Sequence, residues 1–265
     1  MSQLALALGD GAIVAKRNLI KIKRIPEVLI WTTMSPIMFV LLFGYVFGAA
    51  IEIPGVNYRE YLIAGVFAQT VVFGSTFTGA GLADDMTKGI IDRFRSLPMA
   101  RSAVLVGRTA SDIFYNSTSI FVMSLTGLVV GWRVRTSILE AVGGFLLLLL
   151  FSYAISWIMA YVGLKVTSVE VVNNASFMFI MPLTFIANTF VNSADLPGPL
   201  QTFAEWNPVS AVAQAAREAF GNTGIAQPDV WSLQNPVLYT IIWVCIILAI
   251  FVPLSVRQYK KTAAR

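Results

Sequence analysis

Residues 237–256 read VLYTIIWVCIILAIFVPLSV, twenty consecutive residues without a charged side chain. A helix of about 20 apolar residues crosses the roughly 30 Å hydrocarbon core of a bilayer, and only a helix satisfies its own backbone hydrogen bonds there. Five other stretches have a similar length and character, so the sequence predicts an all-α membrane protein with six transmembrane helices. The other five spans are residues 28–50, 61–83, 109–130, 138–164 and 171–190.

The composition agrees with this interpretation. Of the 265 residues, 57% are hydrophobic and 12% are charged, whereas a soluble domain has about 25% charged residues. The chain has one cysteine, Cys245, and no histidine, which excludes an intrachain disulfide and disfavours redox, zinc and histidine-based chemistry. We predict no catalytic residue and no metal site. The net charge of +5 is carried next to the apolar stretches, which favours membrane lipids over nucleic acid as its partner.

The basic residues predict the orientation, because Lys and Arg are retained on the cytoplasmic side of a membrane. With the N-terminus inside, fifteen of the 19 basic residues face the cytoplasm, and the four outside are Arg59, Arg133, Arg135 and Arg217. We therefore predict a multi-pass protein of the cell membrane, with a single membrane domain over residues 1–265, an even number of spans and both termini in the cytoplasm.

The first 27 residues are predicted to be cytoplasmic or interfacial. Leu19, Ile20, Ile22 and Ile25 are interspersed with basic residues in this segment. Such a mixture suits an N-terminal interfacial helix at the inner membrane surface. A basic tail that only fixes the topology is the alternative.

The loop after the second span, residues 84–98, reads DDMTKGIIDRFRSLP. Its apolar and charged residues occupy opposite faces of a helix, and Pro98 ends that helix. The apolar face consists of Met86, Ile90, Phe94 and Leu97, and the charged face of Lys88, Asp92 and Arg95. An amphipathic helix between two spans suits docking to a cytoplasmic partner, and a helix resting on lipid headgroups is the alternative.

The segment from 192 to 235 is too polar to span the membrane. Val209, Val212, Ala216 and Phe220 repeat at helical spacing after Pro208, and a second short helix is predicted before it. Two short amphipathic helices indicate an external re-entrant helical hairpin that dips into the outer leaflet where protein covers its ends. A solvent-exposed loop is the alternative.

Two groups of residues match a known family pattern. The cytoplasmic loop contributes Gly89, Leu97-Pro98 and Gly107. The fifth span and the external segment contribute Met181-Pro182-Leu183-Thr184-Phe185, Asn188, Phe190, Leu196-Pro197, Trp206-Asn207-Pro208 and Arg217. In this order and spacing they resemble the permease subunits of the ABC-2 family of ABC transporters, particularly the daunorubicin-resistance type. The resemblance covers nearly the whole chain.

The resemblance implies a membrane domain that pairs with a second permease subunit, identical or paralogous, while partner ATPase subunits bind ATP and Mg. It implies a coupling helix between spans two and three. The ATPase-coupling residues would be Met86, Thr87, Lys88, Gly89, Ile90, Asp92, Arg93, Phe94, Arg95, Leu97 and Pro98. The external hairpin would carry Pro197, Trp206, Asn207, Pro208 and Arg217. The chain lacks the phosphate-binding motif G-x-x-x-x-G-K-[ST], so we expect no cofactor in this chain and ATP hydrolysis in the partner.

Aromatic and amide residues within the spans are candidates for lining a pathway for a lipophilic substrate. Three phenylalanines recur every four residues in the first span, although contact with lipid or another helix is the alternative. The candidates are Phe39, Phe43, Phe47, Phe67, Phe73, Phe77, Asn173, Asn174 and Phe177. The glycines of the second span, Gly74, Gly79 and Gly81, are predicted to allow close helix packing.

Arg108 and Asp112 are four residues apart near one end of the third span, which predicts an intrahelical ion pair, with a role in gating as the alternative. The spans show no paired carboxylates of the kind a proton-driven carrier uses. The sequence therefore favours the permease subunit of an ATP-driven exporter of a drug, lipid or polyketide. An ion-gradient-driven multidrug carrier and a non-transporting membrane assembly factor are the alternatives.

Overall fold

The computed structural model describes residues 3–24, 26–47, 58–95, 103–166, 168–224 and 228–262. Within these ranges every regular element is helical, which confirms the predicted all-α fold class. The α-helices are α1 (Gln3–Arg24), α2 (Pro26–Leu41), α3 (Tyr58–Gly74), α4 (Thr76–Thr87), α5 (Ile90–Arg95), α6 (Ala103–Val130), α7 (Ile138–Lys165), α8 (Val169–Phe185), α9 (Gly198–Glu205), α10 (Pro208–Phe220), α11 (Trp231–Gln234) and α12 (Pro236–Thr262). A π-helical segment, Leu42–Phe47, continues α2, and a 3₁₀ turn, Ser193–Asp195, precedes α9.

Four of the described helices are long and apolar enough to cross a membrane, which supports a multi-pass membrane protein. They are Tyr58–Thr87, Ala103–Val130, Ile138–Lys165 and Pro236–Lys261, the first of which joins α3 and α4. Two shorter apolar helices, Met34–Tyr45 and Val169–Phe185, correspond to the first and fifth predicted spans. Val169–Phe185 has 17 residues, which is about 25 Å at the helical rise. It is shorter than the bilayer core.

Helix α7 lies at the centre of the bundle and packs against α4, α6, α10 and α12, while α1 packs along α6. The main core collects large apolar side chains from several helices, including Phe67, Phe151 and Phe220. A second cluster joins the end of α4 to α6, α7 and α12 through Leu82, Leu105 and residues further along the chain.

The N-terminus of α7 has a complete capping box. The Ser137 hydroxyl accepts a hydrogen bond from the Glu140 backbone N–H, and the Ser137 N–H donates to the Glu140 carboxylate at 3.0 Å. Such reciprocal bonds satisfy two of the free donors at a helix start. The Glu140 carboxylate at the start of α7 is therefore part of an exposed helix cap.

Helices α4 and α7 approach each other at two glycines. A Cβ atom added to Gly163 would lie 2.7 Å from the Gly79 Cα, and one added to Gly79 would lie 2.7 Å from the Met159 carbonyl oxygen. These distances are shorter than real Cβ contacts, so only glycine fits at either position. The predicted packing role of Gly79 agrees with this backbone contact.

Candidate functional site

A cavity of about 430 Å³ lies between α2, the α3–α4 helix, α6 and α8. Rings and aliphatic groups make up most of its surface, which suits an apolar molecule of small to moderate size. The lining residues are Ser35, Pro36, Phe39, Gln69, Thr70, Phe73, Gly74, Thr76, Phe77, Tyr115, Ser119, Phe177 and Met181.

The floor of the cavity is buried and its rim is exposed. Gln69, Gly74 and Ser119 are buried, whereas Ser35 of α2 and Phe177 of α8 are exposed. The cavity therefore opens beside α2 and α8, on the surface of the bundle that would face lipid or a second subunit.

Pairs of rings form two walls. The Phe73 ring meets the Phe177 ring edge to face, with 6.3 Å between centroids. The Phe77 and Tyr115 rings are tilted against each other at 5.0 Å. Aromatic pairs at these distances attract each other beyond the effect of buried area, and they present ring faces and edges to a ligand.

Two hydroxyl groups of the lining are hydrogen-bonded within the protein, whereas the amide nitrogen of the lining has no such bond among the described residues. Thr70 Oγ1 donates to the Val66 carbonyl oxygen at 2.7 Å, and Thr76 Oγ1 donates to the Phe73 carbonyl oxygen at 2.7 Å. Gln69 is 3% exposed, and its amide nitrogen has no hydrogen-bond partner in the described part of the chain. Gln69 is thus a polar group of the lining that the protein leaves unsatisfied.

Beneath the cavity, neutral hydrogen bonds join three helices. Asn116 Nδ2 of α6 donates to Ser152 Oγ of α7 at 2.8 Å, and Ser75 Oγ, between α3 and α4, donates to the Ser152 carbonyl oxygen at 3.1 Å. Gly74 leaves room for the Asn116 amide, because an added Cβ would overlap it. These bonds fix the floor without placing a charge in the membrane.

The structure brings four of the predicted pathway residues together at the cavity and places Phe43, Phe67, Asn173 and Asn174 elsewhere. Phe39, Phe73, Phe77 and Phe177 line it. Phe43 stacks on Phe190 with 4.6 Å between centroids. Asn173 and Asn174 are exposed on α8, and the side chain of Phe47 lies outside the described residues.

Phe67 lies in a different environment from Phe73 and Phe77. It is fully buried, and its ring contacts the rings of Trp132, Phe145 and Phe220 at 5.4 to 5.8 Å. Phe67 therefore packs in the core beside α10 and does not line the cavity.

Sequence reasoning missed Gln69, Tyr115 and Ser119 as lining residues. A signal existed for Gln69, because it is the sole amide in the run from 61 to 83. Tyr115 and Ser119 are four residues apart on α6, so helical spacing predicts that they lie on the same face of that helix.

Arg108 and Asp112 do not form the predicted ion pair among the described residues. Arg108 Nη2 donates to the Phe77 carbonyl oxygen at 2.6 Å, and Asp112 Oδ2 is buried without a hydrogen-bond partner. Gly81 makes this possible, because an added Cβ would overlap the Arg108 guanidinium. The arginine thus bridges α6 to the α3–α4 helix rather than to its own helix.

The predicted cytoplasmic helix over residues 84–97 is broken in the structure. Helix α4 ends at Thr87, where the Lys88 N–H donates to the Asp84 carbonyl oxygen, and Gly89 follows with φ of 63°. A left-handed residue at this position stops a helix, so Met86 and Ile90 lie on separate helices. Leu97 and Pro98, and the side chains of Asp92, Phe94 and Arg95, lie outside the described residues.

The two sides of this break differ in exposure. Thr87, Lys88 and Arg93 are exposed. Ile91 is buried in the second hydrophobic cluster, and Met86 packs against that cluster. Part of the apolar surface of this segment therefore packs inside the protein, and its polar side chains remain exposed.

The N-terminal helix is attached next to this segment. Arg17 forms an ion pair with Asp85 of α4 at 2.7 Å, and Asn18 Nδ2 donates to Ser111 Oγ of α6 at 3.1 Å. Val14 is buried against α6, close to Gly107. The helix therefore packs on the bundle along one side, while Ile13 and Ile20 are exposed.

The residues predicted to lie in an external hairpin end and start helices. Pro197 is the N-cap of α9 and Trp206 is its C-cap. Asn207 is the N-cap of α10, where its side chain accepts from the Val209 N–H at 2.9 Å and its amide donates to the Leu183 carbonyl oxygen at 2.7 Å. Pro208 follows as the first residue of α10, a position that proline favours.

Arg217 is 1% exposed and is held without a carboxylate partner among the described residues. Its Nε donates to the Tyr61 carbonyl oxygen and its Nη2 to the Thr189 carbonyl oxygen, both at 3.2 Å. The guanidinium carbon lies 3.5 Å from the centroid of the Tyr61 ring. Burial lowers the pKa of Arg217. This arginine joins α10 to the start of α3.

A second polar link holds the same end of the bundle. Arg135, in the turn between α6 and α7, makes two hydrogen bonds to the buried Glu60 carboxylate, at 2.7 and 2.9 Å. The hydrogen bond and charge of Glu60 raise the pKa of Arg135. Asn222, after α10, donates to both Glu60 and the Arg133 carbonyl oxygen and accepts from Trp132 Nε1.

These helices, the cavity and the hairpin occur in a chain whose sequence has recognisable relatives. The profile of the family described as ABC-2 type transporter matches residues 12–220, more than half of the chain. The chain belongs to the ABC-2 transporter family. The hairpin up to the end of α10 and the whole cavity lie within the matched residues.

Individual relatives of this ABC-2 protein are permease proteins. A daunorubicin resistance ABC transporter permease protein of Streptomyces coeruleorubidus is 32% identical over 251 residues, covering 94% of this chain and 85% of the relative. A probable doxorubicin resistance ABC transporter permease protein of Mycobacterium tuberculosis is 24% identical, covering 86% and 80%. A putative transport permease of Cyanophora paradoxa is 23% identical, covering 80% and 74%. The chain is thus an ABC-2 permease homologous to drug-resistance permeases.

Proposed function

We propose that the chain is the membrane-spanning permease subunit of an ATP-driven exporter, and that two such subunits, identical or paralogous, form the pathway for a lipophilic or amphipathic substrate. The observation that carries this proposal is the similarity of the chain to a daunorubicin resistance permease along 94% of its length. The aromatic cavity of about 430 Å³ gives such a substrate a place to bind within the membrane domain.

Export is tested in membrane vesicles that contain the permease and its partner ATPase. We expect accumulation of a lipophilic dye that stops when ATP is removed or when the ATPase is inactivated, and that continues when ion gradients are collapsed. Accumulation driven by an ion gradient without ATP would instead favour a secondary carrier. Assembly of the complex without transport of any lipophilic probe would favour an assembly factor.

We propose six spans with both termini in the cytoplasm, which adds Met34–Tyr45 and Val169–Phe185 to the four longer helices. Support comes from the basic residues, fifteen of which lie on the proposed inner side. The test starts from a Cys245→Ser variant, which has no cysteine. A cysteine placed at Thr223 should react with an impermeant maleimide in intact cells, and one at Lys88 only after permeabilisation. The reverse pattern would overturn the orientation.

We further propose that the surface around α5 docks on the ATPase, which binds ATP and Mg. The exposed residues Thr87, Lys88 and Arg93 project beside this helix, at the end of the bundle assigned to the cytoplasm. Phe94→Asp and Leu97→Asp should reduce co-purification of the ATPase or uncouple its activity from transport. Thr223→Asp, in the external turn, is the control. Unchanged assembly and transport in both Phe94→Asp and Leu97→Asp would overturn the docking site.

The second subunit is proposed to pack near the exposed side of α8. Asn173 and Asn174 are exposed there on a helix whose other exposed residues include Phe177, Met178 and Phe179. Amides that face lipid are costly and bond well across helices. Cysteines at Asn174 in a Cys245→Ser background should cross-link two subunits on oxidation. Cysteines at Val142, exposed on α7, should not.

A further inference from the structure

We propose that the Gln69 amide is the hydrogen-bond donor that selects the ligand of the cavity, and that this ligand is a neutral, ring-containing molecule with a carbonyl or similar acceptor oxygen. The inference deepens the proposed function, because it takes the cavity as the binding site of the exporter. The juxtaposition that carries it is an unsatisfied amide set among aromatic rings.

The position of Gln69 keeps it away from bulk water. It lies 11 residues from Tyr58 in the helix Tyr58–Thr87, about 16 Å from that end at the helical rise. It is buried, and its Nε2 has no partner in the described part of the chain. A buried amide is nearly always hydrogen-bonded, so a partner from the ligand would complete it.

Gln69 also faces the same side as the aromatic wall. Phe73 and Phe77 follow at four-residue intervals along this helix, and all three line the cavity. Residues four apart lie one above another on a helix face. The Gln69 Nε2 is closed from the cavity surface in this structure, so a flat ring system that packs against Phe73 and Phe77 can bond it through an oxygen once the Gln69 side chain rotates toward the cavity.

The rest of the lining excludes other ligand classes. Among the described lining residues none is an aspartate, glutamate, lysine or arginine, so no charge would compensate a buried ion. The hydroxyls of Thr70 and Thr76 are bonded to their own helix. A saturated acyl chain would leave the Gln69 donor unsatisfied. A neutral ring system with an acceptor oxygen fits all three observations.

The test uses two probes that differ in one group. Fluorenone carries a ketone, and fluorene has the same fused rings without an acceptor. Binding is measured by equilibrium dialysis with the full chain in lipid nanodiscs, against empty nanodiscs to subtract partition into lipid. We expect fluorenone to bind about 3- to 10-fold more tightly than fluorene, the range that one neutral hydrogen bond supplies.

Variants at Gln69 and at a residue outside the lining assign the preference for the ketone. Gln69→Met keeps the length of the side chain but lacks the donor, so the two probes should bind with nearly equal affinity. Gln69→Asn should retain part of the preference. Thr126→Val, on α6 outside the lining and with its hydroxyl bonded to the Val122 carbonyl oxygen of the same helix, should bind both probes like the wild type. A ketone preference that survives Gln69→Met would overturn the proposal, as would no binding of either probe above empty nanodiscs.

A measurement on the wild-type protein covers the case in which Gln69→Met does not fold. The infrared carbonyl stretch of bound fluorenone should move to lower frequency than in empty nanodiscs, as expected of a ketone that accepts a hydrogen bond. An unshifted carbonyl stretch when fluorenone saturates the protein would contradict the inference. Neither experiment requires an ATPase, so failure here leaves ATP-driven export untouched, and loss of ATP dependence leaves the binding result untouched.

Discussion

The guanidinium of Arg217 lies 3.5 Å from the centroid of the Tyr61 ring and donates to the backbone carbonyl oxygen of the same tyrosine at 3.2 Å. The Arg217 side chain thus contacts both the ring and the backbone of Tyr61 in α3. A planar guanidinium can make both contacts at once, whereas a lysine ammonium is a compact, strongly hydrated charge.

The Arg217→Lys variant should therefore be destabilised. A lysine would remain a buried cation but would lose the forked geometry, so we expect a loss of about 2–4 kcal/mol. Arg217→Met, which buries no charge, should lose less. Thermal unfolding in detergent measures both, with Arg133→Lys as the control because Arg133 is exposed. A stability of Arg217→Lys equal to that of the wild type would contradict this role.

The glycine contact between α4 and α7 predicts a steric effect. Gly163→Ala should destabilise the protein by about 1–3 kcal/mol, because the added methyl group meets backbone atoms of Gly79 that have no rotamer to change. Gly143→Ala on the same helix is the matched control, since its added Cβ meets nothing within 4 Å. The measurement is again thermal unfolding. Equal midpoints for the two variants would show that the helices can separate at no cost.

The ion pair between Glu60 and Arg135 predicts that thermal stability depends on the pair and not on either charge alone. Arg135→Ala leaves the buried Glu60 carboxylate with the hydrogen bond from Asn222 but without the two from Arg135, so the unfolding midpoint should fall by a few degrees. Adding Glu60→Gln should recover part of the loss, because the amide that remains is uncharged. A double-mutant cycle measures the coupling. Simple additivity of the two changes would mean that the residues do not act together.

Filling the cavity should block export without loss of assembly. Ser119→Phe places a ring in the space that a substrate would occupy, and a loss of about 1–3 kcal/mol of binding free energy corresponds to about 5- to 150-fold weaker binding. Ser117→Phe, two residues away on α6 and not in the lining, is the control. Dye export and ATPase co-purification are measured together. Normal export by Ser119→Phe would exclude the cavity from the pathway.

The sequence predicted the helical class well because long uncharged runs leave few other structures in a membrane. The run over residues 61–83 became the helix Tyr58–Thr87, and the run over residues 237–256 lies within Pro236–Lys261. Pro208 was also correctly expected to separate two short helices, since proline favours the first position of a helix.

Side-chain neighbours were less predictable, because they depend on which helices meet. Phe67 and Phe73 are six residues apart, which places them on different faces of one helix, so they do not line one surface together. The break at Gly89 was predictable in kind, since glycine commonly ends helices. The hydrogen bond from Arg108 to the Phe77 carbonyl oxygen was not predictable. The spacing of charged residues along one helix gives no information about which helix packs opposite.

The contact between Gly79 and Gly163 also bears on how the cavity could change size. Helices that touch through backbone have no side chains between them that could repack in a second register, so α4 and α7 should behave as one rigid body. Wall residues on α4, including Phe77, would then be stationary. Any widening or collapse of the cavity during a transport cycle must come from displacement of the opposite wall, α2 and α8, whose residues Ser35 and Phe177 already form its exposed rim.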